Sequence, residues 1–356
     1  MRRIGMSEIA KVAKVSIGTV GRALNGHGRI NEATRQRVLQ IARDLGYKPN
    51  LAARALSVGK GFRIGVCIPK ELHFFYDQVR GGIFAEARRH EHLGLEVLYR
   101  PVSRLGAGEI EKVKELLESD IKALILTPGD PKSLTPLINE AQQNGIQVIC
   151  LGTDAPASTR SSVVCVNPEL GGKLAGELMG RLLGPKSRVA IVTGMLQTDI
   201  HHASVRGFSE LLPRTCPGAE VTEVLEGHED EDETFSKCMA LLAQPRRLDG
   251  IYVNTVNCLP VCRALNNTGR SGKIRLITTD LFREMLPYFE DGTIMASIHQ
   301  KPYFQGQVAV RLVMDRVVSG RPVPPTFYLN PNVVLRSNVE GFREIRGATA
   351  EFMISL

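Results

Sequence analysis

The sequence predicts an α/β protein in two parts, a small all-α headpiece carrying a helix-turn-helix and a larger two-lobed α/β body behind it. Three observations predict this. Positive charge is concentrated in the first 60 residues, those residues carry short apolar stripes at helical spacing, and from about residue 62 onward strand and helix patterns alternate in two successive series. A length of 356 residues suits two or three domains, and 43% hydrophobic with 23% charged residues is ordinary for a globular chain.

The net charge of +8 divides unevenly. Residues 1–60 hold 12 Lys/Arg against 3 Asp/Glu, whereas the rest of the chain holds 33 basic and 34 acidic residues. A basic field confined to one small segment suits a polyanion, because each neutralised phosphate releases condensed counterions. A solvated basic tail would lack apolar periodicity, and this segment has it.

Ser7 is a plausible N-cap for Glu8 to Ala13, with Ile9, Val12 and Ala13 at helical spacing. Ser16 caps a second helix, Ile17 to Leu24, with Val20, Ala23 and Leu24 on its buried side. Two short helices across a tight turn make a helix-turn-helix. A third helix follows Asn31 through Val38, Leu39, Ile41, Ala42 and Leu45, and Gly46 marks its end. The expected core is Ile9, Val12, Val20, Leu24, Val38 and Leu45.

Pro49 to Leu56 is Ala-rich behind a proline, enough for about two helical turns and too short to be stable alone. Ser57-Val58-Gly59-Lys60-Gly61 then reads as a linker. The expected division is a headpiece over 1–48, a hinge helix and linker over 49–61, a two-lobed domain over 62–340 and a tail over 341–356. The first lobe is expected at about 62–160 and 293–325, the second at about 161–292 and 326–340.

The N-terminal residues carry a family resemblance. Ile9-Ala10-Lys11-Val12-Ala13-Lys14-Val15-Ser16, Thr19-Val20, Arg22-Ala23-Leu24-Asn25, Thr34-Arg35-Gln36-Arg37-Val38 and Leu45-Gly46-Tyr47-Lys48-Pro49-Asn50 together resemble the LacI/GalR family of bacterial repressors. The resemblance implies that the second helix enters the major groove, with Ile17, Gly18 and Arg22 at reading positions and Ser16, Thr19 and Asn25 near the backbone. It also implies that two hinges meet on the minor groove, where Leu56 wedges between base pairs beside Asn50 and Ala53. The partners so implied are double-stranded operator DNA and a second copy of the chain. Lys14 stands where the family has Gly, and Gly21 where it has Ser. Gly18 offers no side chain for base readout.

In the body, strands are expected at 64–69, 95–99, 123–127 and 147–151, with helices at 78–92, 109–118 and 134–144 between them. A second series runs from Val163 to Thr279. Ligands of such sheets bind beyond the carboxyl ends of the strands. This half resembles the type I periplasmic-binding-protein-like fold, which implies a sugar-like small-molecule effector in the cleft. By the same resemblance Phe74 and Phe75 match an aromatic pair able to stack on a pyranose, and Thr127 and Thr153-Asp154 are pocket positions. His201, Asn254, Asp280 and Gln300 match further polar positions, while Ser204 replaces a ligand-gripping Arg and Arg206 lies nearby. Asp, Asn and Gln supply the planar donors and acceptors that hydroxyl-rich ligands need.

Other chemistry finds little support. There is no GxGxxG or GxxxxGK[ST] loop, and His90-Glu91-His92 lacks zincin spacing, so no cofactor and no catalytic residue is assigned. Seven scattered cysteines suit reduced core thiols, and the Cys258/Cys262 pair alone is weak evidence for a metal. No stretch approaches a membrane span, and Met1-Arg2-Arg3 runs into polar residues rather than a secretory leader, so a cytoplasmic protein is expected. The C-terminal residues 344–356 show no heptad for a tetramer zipper. The readings left standing are a ligand-controlled DNA-binding regulator, a solute-binding protein or sugar-modifying enzyme fused to a DNA-binding unit, and a ligand-independent architectural DNA protein.

Overall fold

The structure is a computed structural model that describes residues 5–25, 30–45, 62–71 and 73–342. In the headpiece, α1 spans Met6–Ala13, α2 Ile17–Asn25 and α3 Glu32–Asp44. The cap of α1 is Gly5 rather than Ser7: Glu8 reaches back to accept the Gly5 N–H at 3.0 Å, and this starts the helix two residues earlier than expected. Ser16 and Asn31 stand where expected. Ser16 Oγ accepts the Thr19 N–H at 3.1 Å, and Asn31 Oδ1 accepts the Ala33 N–H at 2.9 Å. Lys14 ends α1 in the left-handed region, φ 52° and ψ 46°, a conformation that costs a non-glycine residue roughly 1 kcal/mol.

Ile9, Ala10, Ala13, Val20, Ala23, Val38 and Ala42 fill the headpiece core, with Leu24 and Leu45 half-buried at its rim. Val12, expected inside, is 55% exposed. Ile9 and Ala13, one turn apart, occupy the inward stripe with Ala10, and Val12 falls outside it.

The body contains twelve strands among the described residues: β1 (Phe62–Cys67), β2 (Leu95–Tyr99), β3 (Ile121–Leu126), β4 (Gln147–Leu151), β5 (Ser162–Val166), β6 (Arg188–Thr193), β7 (Glu220–Glu226), β8 (Gly250–Val253), β9 (Arg275–Thr279), β10 (Ile294–His299), β11 (Thr326–Leu329) and β12 (Asn332–Val334). They form two six-stranded sheets, in the order β11-β5-β4-β3-β1-β2 and β12-β10-β9-β8-β6-β7. Every pairing is parallel except β10 with β12. Helices cover both faces, which is why most inner strands are continuous apolar runs rather than alternating ones.

The expected lobe boundaries need correction. β5 was assigned to the second lobe, yet it pairs with β4 and β11 in the first sheet, and its five buried residues require neighbours on both edges. β10 was assigned to the first lobe and lies in the second sheet, while β11 belongs to the first. The chain therefore passes between sheets after β5, after β10 and between β11 and β12. The helix expected at 78–92 runs over His73–Arg88, because Phe75, Tyr76, Val79, Ile83 and Ala87 form its buried stripe, and a 3-10 turn takes Glu91–Leu93.

Each lobe has one pair of helices in backbone contact. In the first, Gly82 of His73–Arg88 and Gly306 of Pro302–Val313 face each other's helix, where a Cβ on Gly82 would lie 1.9 Å from the Tyr303 carbonyl. In the second, a Cβ on Gly172 of Pro168–Leu182 would lie 2.0 Å from the carbonyl of Ser204 in Asp199–Thr215. Among the described residues no helix is long and apolar enough to cross a membrane, and all seven cysteines are free and buried. Gly172→Ala should force these helices apart and cost on the order of 1–3 kcal/mol in urea unfolding; unchanged stability would show that the packing yields easily.

Candidate functional site

The first functional surface is the outer face of α2. Ile17 is 54% exposed, and Ser16, Gly18 and Arg22 are exposed beside it, while Val20 and Ala23 turn inward. Ser16 and Thr19 share a hydroxyl hydrogen bond at 2.9 Å, and Arg22 Nη2 donates to Thr19 Oγ1 at 3.2 Å. α2 thus offers hydroxyls and an isoleucine at its start and a guanidinium in its last turn toward solvent, the chemistry of a groove-reading helix. Among the described residues a Cβ on Gly18 would meet nothing nearer than Ser16 Oγ at 3.8 Å, and one on Gly21 nothing within 4 Å. Close helix packing does not account for either glycine. Asn25 ends α2, and Asn50, Ala53 and Leu56 lie outside the described residues.

The second surface is where the carboxyl ends of the two sheets meet. Asp280, the first residue beyond β9, is buried with φ 65°. Its Oδ1 accepts the Gln300 N–H and its Oδ2 accepts Gln300 Nε2, both at 2.8 Å. Its own carbonyl accepts the Ser297 hydroxyl in a short bond. Burial pushes the Asp280 carboxyl up to about 7, against the two Gln300 bonds that favour the charged form.

On the next strand end, Asn254 donates Nδ2 to the His201 carbonyl at 3.2 Å, and its Oδ1 is buried with no hydrogen-bond partner among the described residues. His201 Nδ1 lies 3.0 Å from the Met195 N–H donor and 2.8 Å from Thr198 Oγ1, and its Nε2 faces Glu229 Oε1 at 3.4 Å. The Glu229 side chain is 6% exposed on a half-buried residue, left-handed at φ 57°, and it accepts the Thr255 hydroxyl at 2.6–2.7 Å. Gly194 makes room for this group, since a Cβ there would lie 2.1 Å from Glu229 Oε1.

The first lobe supplies the opposing wall. Phe74 stacks on Phe282 of the second lobe with ring centroids 4.1 Å apart and planes 13° from parallel. Phe75 is turned into the first-lobe core, edge-on to Tyr76 at 5.1 Å. Of the expected aromatic pair, then, Phe74 stands at the interlobe face and Phe75 is a core residue. Thr127 is buried at the end of β3, and its N–H donates to the Cys67 carbonyl. At the cleft mouth Gln197 Nε2 donates to the Gly129 carbonyl at 3.1 Å and Arg104 faces Asp230 at 3.7 Å. They border an open cleft of about 410 Å³ whose lining includes Leu105, Met195 and His228.

Residues 5–50 match the model of bacterial regulatory proteins of the lacI family, and residues 64–321 match the periplasmic binding protein domain. The chain belongs to the lacI family of regulators. It is similar to catabolite control protein A of Priestia megaterium, 25% identical over 251 residues that span 70% of this chain and 73% of that one. It is also similar to the HTH-type transcriptional repressor PurR of Aliivibrio fischeri, 24% identical over 94% of this chain and 98% of that one. Its fold is that of a Burkholderia graminis ABC transporter solute binding protein in complex with D-arabinose, with a TM-score of 0.73, 24% identity, and coverage of 82% and 98%.

This lacI-family regulator departs from the sequence expectation at Asp154. Its carboxylate is held by Arg160 through Nε and, at 2.6 Å, Nη2, while Arg160 Nη1 caps the Pro325 carbonyl. Asp154 is therefore tied down beside β4 rather than brought to the Asp280 group. Arg206 is exposed and pairs with Glu169 at 2.6 Å, and Ser204 Oγ bonds the buried Tyr252 hydroxyl at 3.1 Å. Neither replaces an arginine in the cleft. Sequence reading missed Glu229, Thr255 and Tyr76. No helical or strand period marks Glu229, which is placed by consecutive left-handed residues, His228 and Glu229, after β7.

The Asp280 carboxyl holds its proton more tightly folded than unfolded, so the folded chain binds the extra proton and stability falls as pH rises from about 4 to about 7. Asp280→Asn removes that titration. Measured by chemical denaturation, the variant should gain on the parent across this window by up to about 1.4 kcal/mol per pH unit; a difference independent of pH would show that Asp280 ionises freely.

Proposed function

We propose that this regulator is a repressor that binds a near-palindromic operator as a homodimer and is switched by a sugar-like effector bound between the lobes. The observation that carries the reading is the α2 face: Ile17 and Arg22 are left to solvent in a basic headpiece whose core is completed by the opposite side of the same helix. A reading helix of this size covers only a few base pairs, so two headpieces are needed, and a two-fold operator mirrors a two-fold dimer. Ser16, Thr19 and Asn25 then lie along the phosphates, and Asn50, Ala53 and Leu56 of the hinge take the minor groove between half-sites.

In the body, Asp280, Asn254, Gln300 and His201 bind the ligand, Phe74 supplies the apolar wall, and Thr127 closes the first-lobe side. The ligand leaves unchanged, since the arrangement provides acceptors and donors rather than a nucleophile paired with a base. The protein acts in the cytoplasm, where operator DNA is. Effector binding and operator binding are linked, so each changes the other's affinity by the same factor.

A palindromic duplex selected from a random pool tests the reading in fluorescence anisotropy. Affinity should fall steeply with salt, and Arg22→Ala should weaken the selected site by about 1–3 kcal/mol with far less effect on random duplex. Equal losses on both would remove Arg22 from base reading, and no preference for any palindrome would end the repressor proposal. Leu56→Ala should likewise weaken only the specific complex; a matching nonspecific loss would contradict the wedge.

A further inference from the structure

Three enclosed carboxyl groups stand around the cleft. Glu229 and Asp280 come from the second lobe, and Glu109 is buried in the first, where it accepts the N–H groups of Gly106, Gly129 and Asp130 at 2.7–3.2 Å. Tyr76 lies among them: burial raises its hydroxyl above the usual tyrosine range, and Glu229, Glu109 and Asp280 raise it further. Among the described residues no Lys or Arg pairs with any of the three carboxylates. Ser204, where the resemblance leads one to expect arginine, is hydrogen-bonded to Tyr252, and Arg206 is spent outside on Glu169.

A second observation is independent of charge. Asn254 is 6% exposed, Thr193 is fully buried, and Asn254 Oδ1 and Thr193 Oγ1 have no hydrogen-bond partner among the described residues. They stand at the carboxyl ends of the neighbouring strands β8 and β6, with Asp280 beyond β9 on one side and Gly194, against Glu229, on the other. Buried acceptors left without donors are costly, and a ligand donor group removes that cost. The row Asp280, Asn254 and Glu229 offers acceptors far in excess of donors.

We propose that the effector carries a protonated amine, as an amino sugar or aminated polyol does, seated against Glu229 and Asp280 with Asn254 Oδ1 as a further acceptor. An ammonium has three donors and no acceptor, which matches the row, and it brings the positive charge that no Lys or Arg among the described residues supplies to these carboxyl groups. The hydroxyls of such a ligand use Gln300 and His201. An anionic sugar has no Lys or Arg to pair with along this row and meets the Glu229 carboxylate. The inference rests on the sugar-effector reading of the same cleft and narrows it.

Titration calorimetry of the full chain at neutral pH tests it with glucosamine, galactosamine and mannosamine, each beside its parent hexose, its N-acetyl derivative and the hexose 6-phosphate. N-acetylation removes the charge and keeps the ring. At least one hexosamine should bind about tenfold or more tighter than its parent and N-acetyl forms, with no binding of the 6-phosphate. Glu229→Gln should erase that preference; the unmodified protein's ranking decides the matter alone if the variant does not fold. A parent or N-acetyl hexose binding as tightly as the amine overturns the inference and leaves the sugar-effector reading intact. Binding by no sugar in the panel overturns both.

Discussion

The interaction on which the rest turns is the double hydrogen bond between Asp280 and Gln300. Asp280 belongs to the second sheet, and Gln300 is the residue at which the chain leaves β10 for the helix Pro302–Val313 of the first lobe. Gln300 passes the constraint on, since its carbonyl accepts Gln305 Nε2 at 2.9 Å inside that helix. Gly306 of the same helix packs against the backbone of His73–Arg88, the helix whose first turn carries Phe74. One buried carboxyl is thus joined by continuous contacts to the first-lobe aromatic residue that stacks on Phe282. A ligand that touches Asp280 cannot alter its bonding without loading the crossover.

The lobes otherwise meet through modest contacts. On one side are the Phe74–Phe282 stack and Gln78, whose amide reaches the Leu281 carbonyl at 3.4 Å. On the other, Arg104 and Asp230 are 3.7 Å apart and half in water, and such a pair contributes at most about 1 kcal/mol. The interior of each lobe is far more rigid, because its helix pairs touch backbone to backbone. Rearrangement is therefore confined to the cleft, and a ligand making a few good polar bonds can shift the balance between lobe orientations.

Much of this was legible in the residues. Apolar runs and caps such as Ser16 and Asn31 located the elements, and the family resemblance singled out Asp280, Asn254, His201 and Gln300, the first two of them at strand ends. What escaped depends on pairings and local conformations that no apolar period marks. β5 reads like the start of a new series, yet it lies in the first sheet between β4 and β11, the latter more than 150 residues away. Asp154 reads as a pocket carboxylate until Arg160 is seen to hold it. Phe74 and Phe75 are equivalent in sequence, and helix phase alone sends one to the core and the other to the cleft. Glu229 was invisible because a left-handed turn, not a period, aims it.

The most direct measurement of the central claim is the effector's dissociation constant on the full-length protein, taken by calorimetry with and without saturating operator. The two-site account predicts that operator shifts this constant by the same factor by which saturating effector shifts operator affinity. An effector that binds with the same constant with and without operator, and leaves operator affinity unchanged in turn, would show two uncoupled sites and would contradict the account.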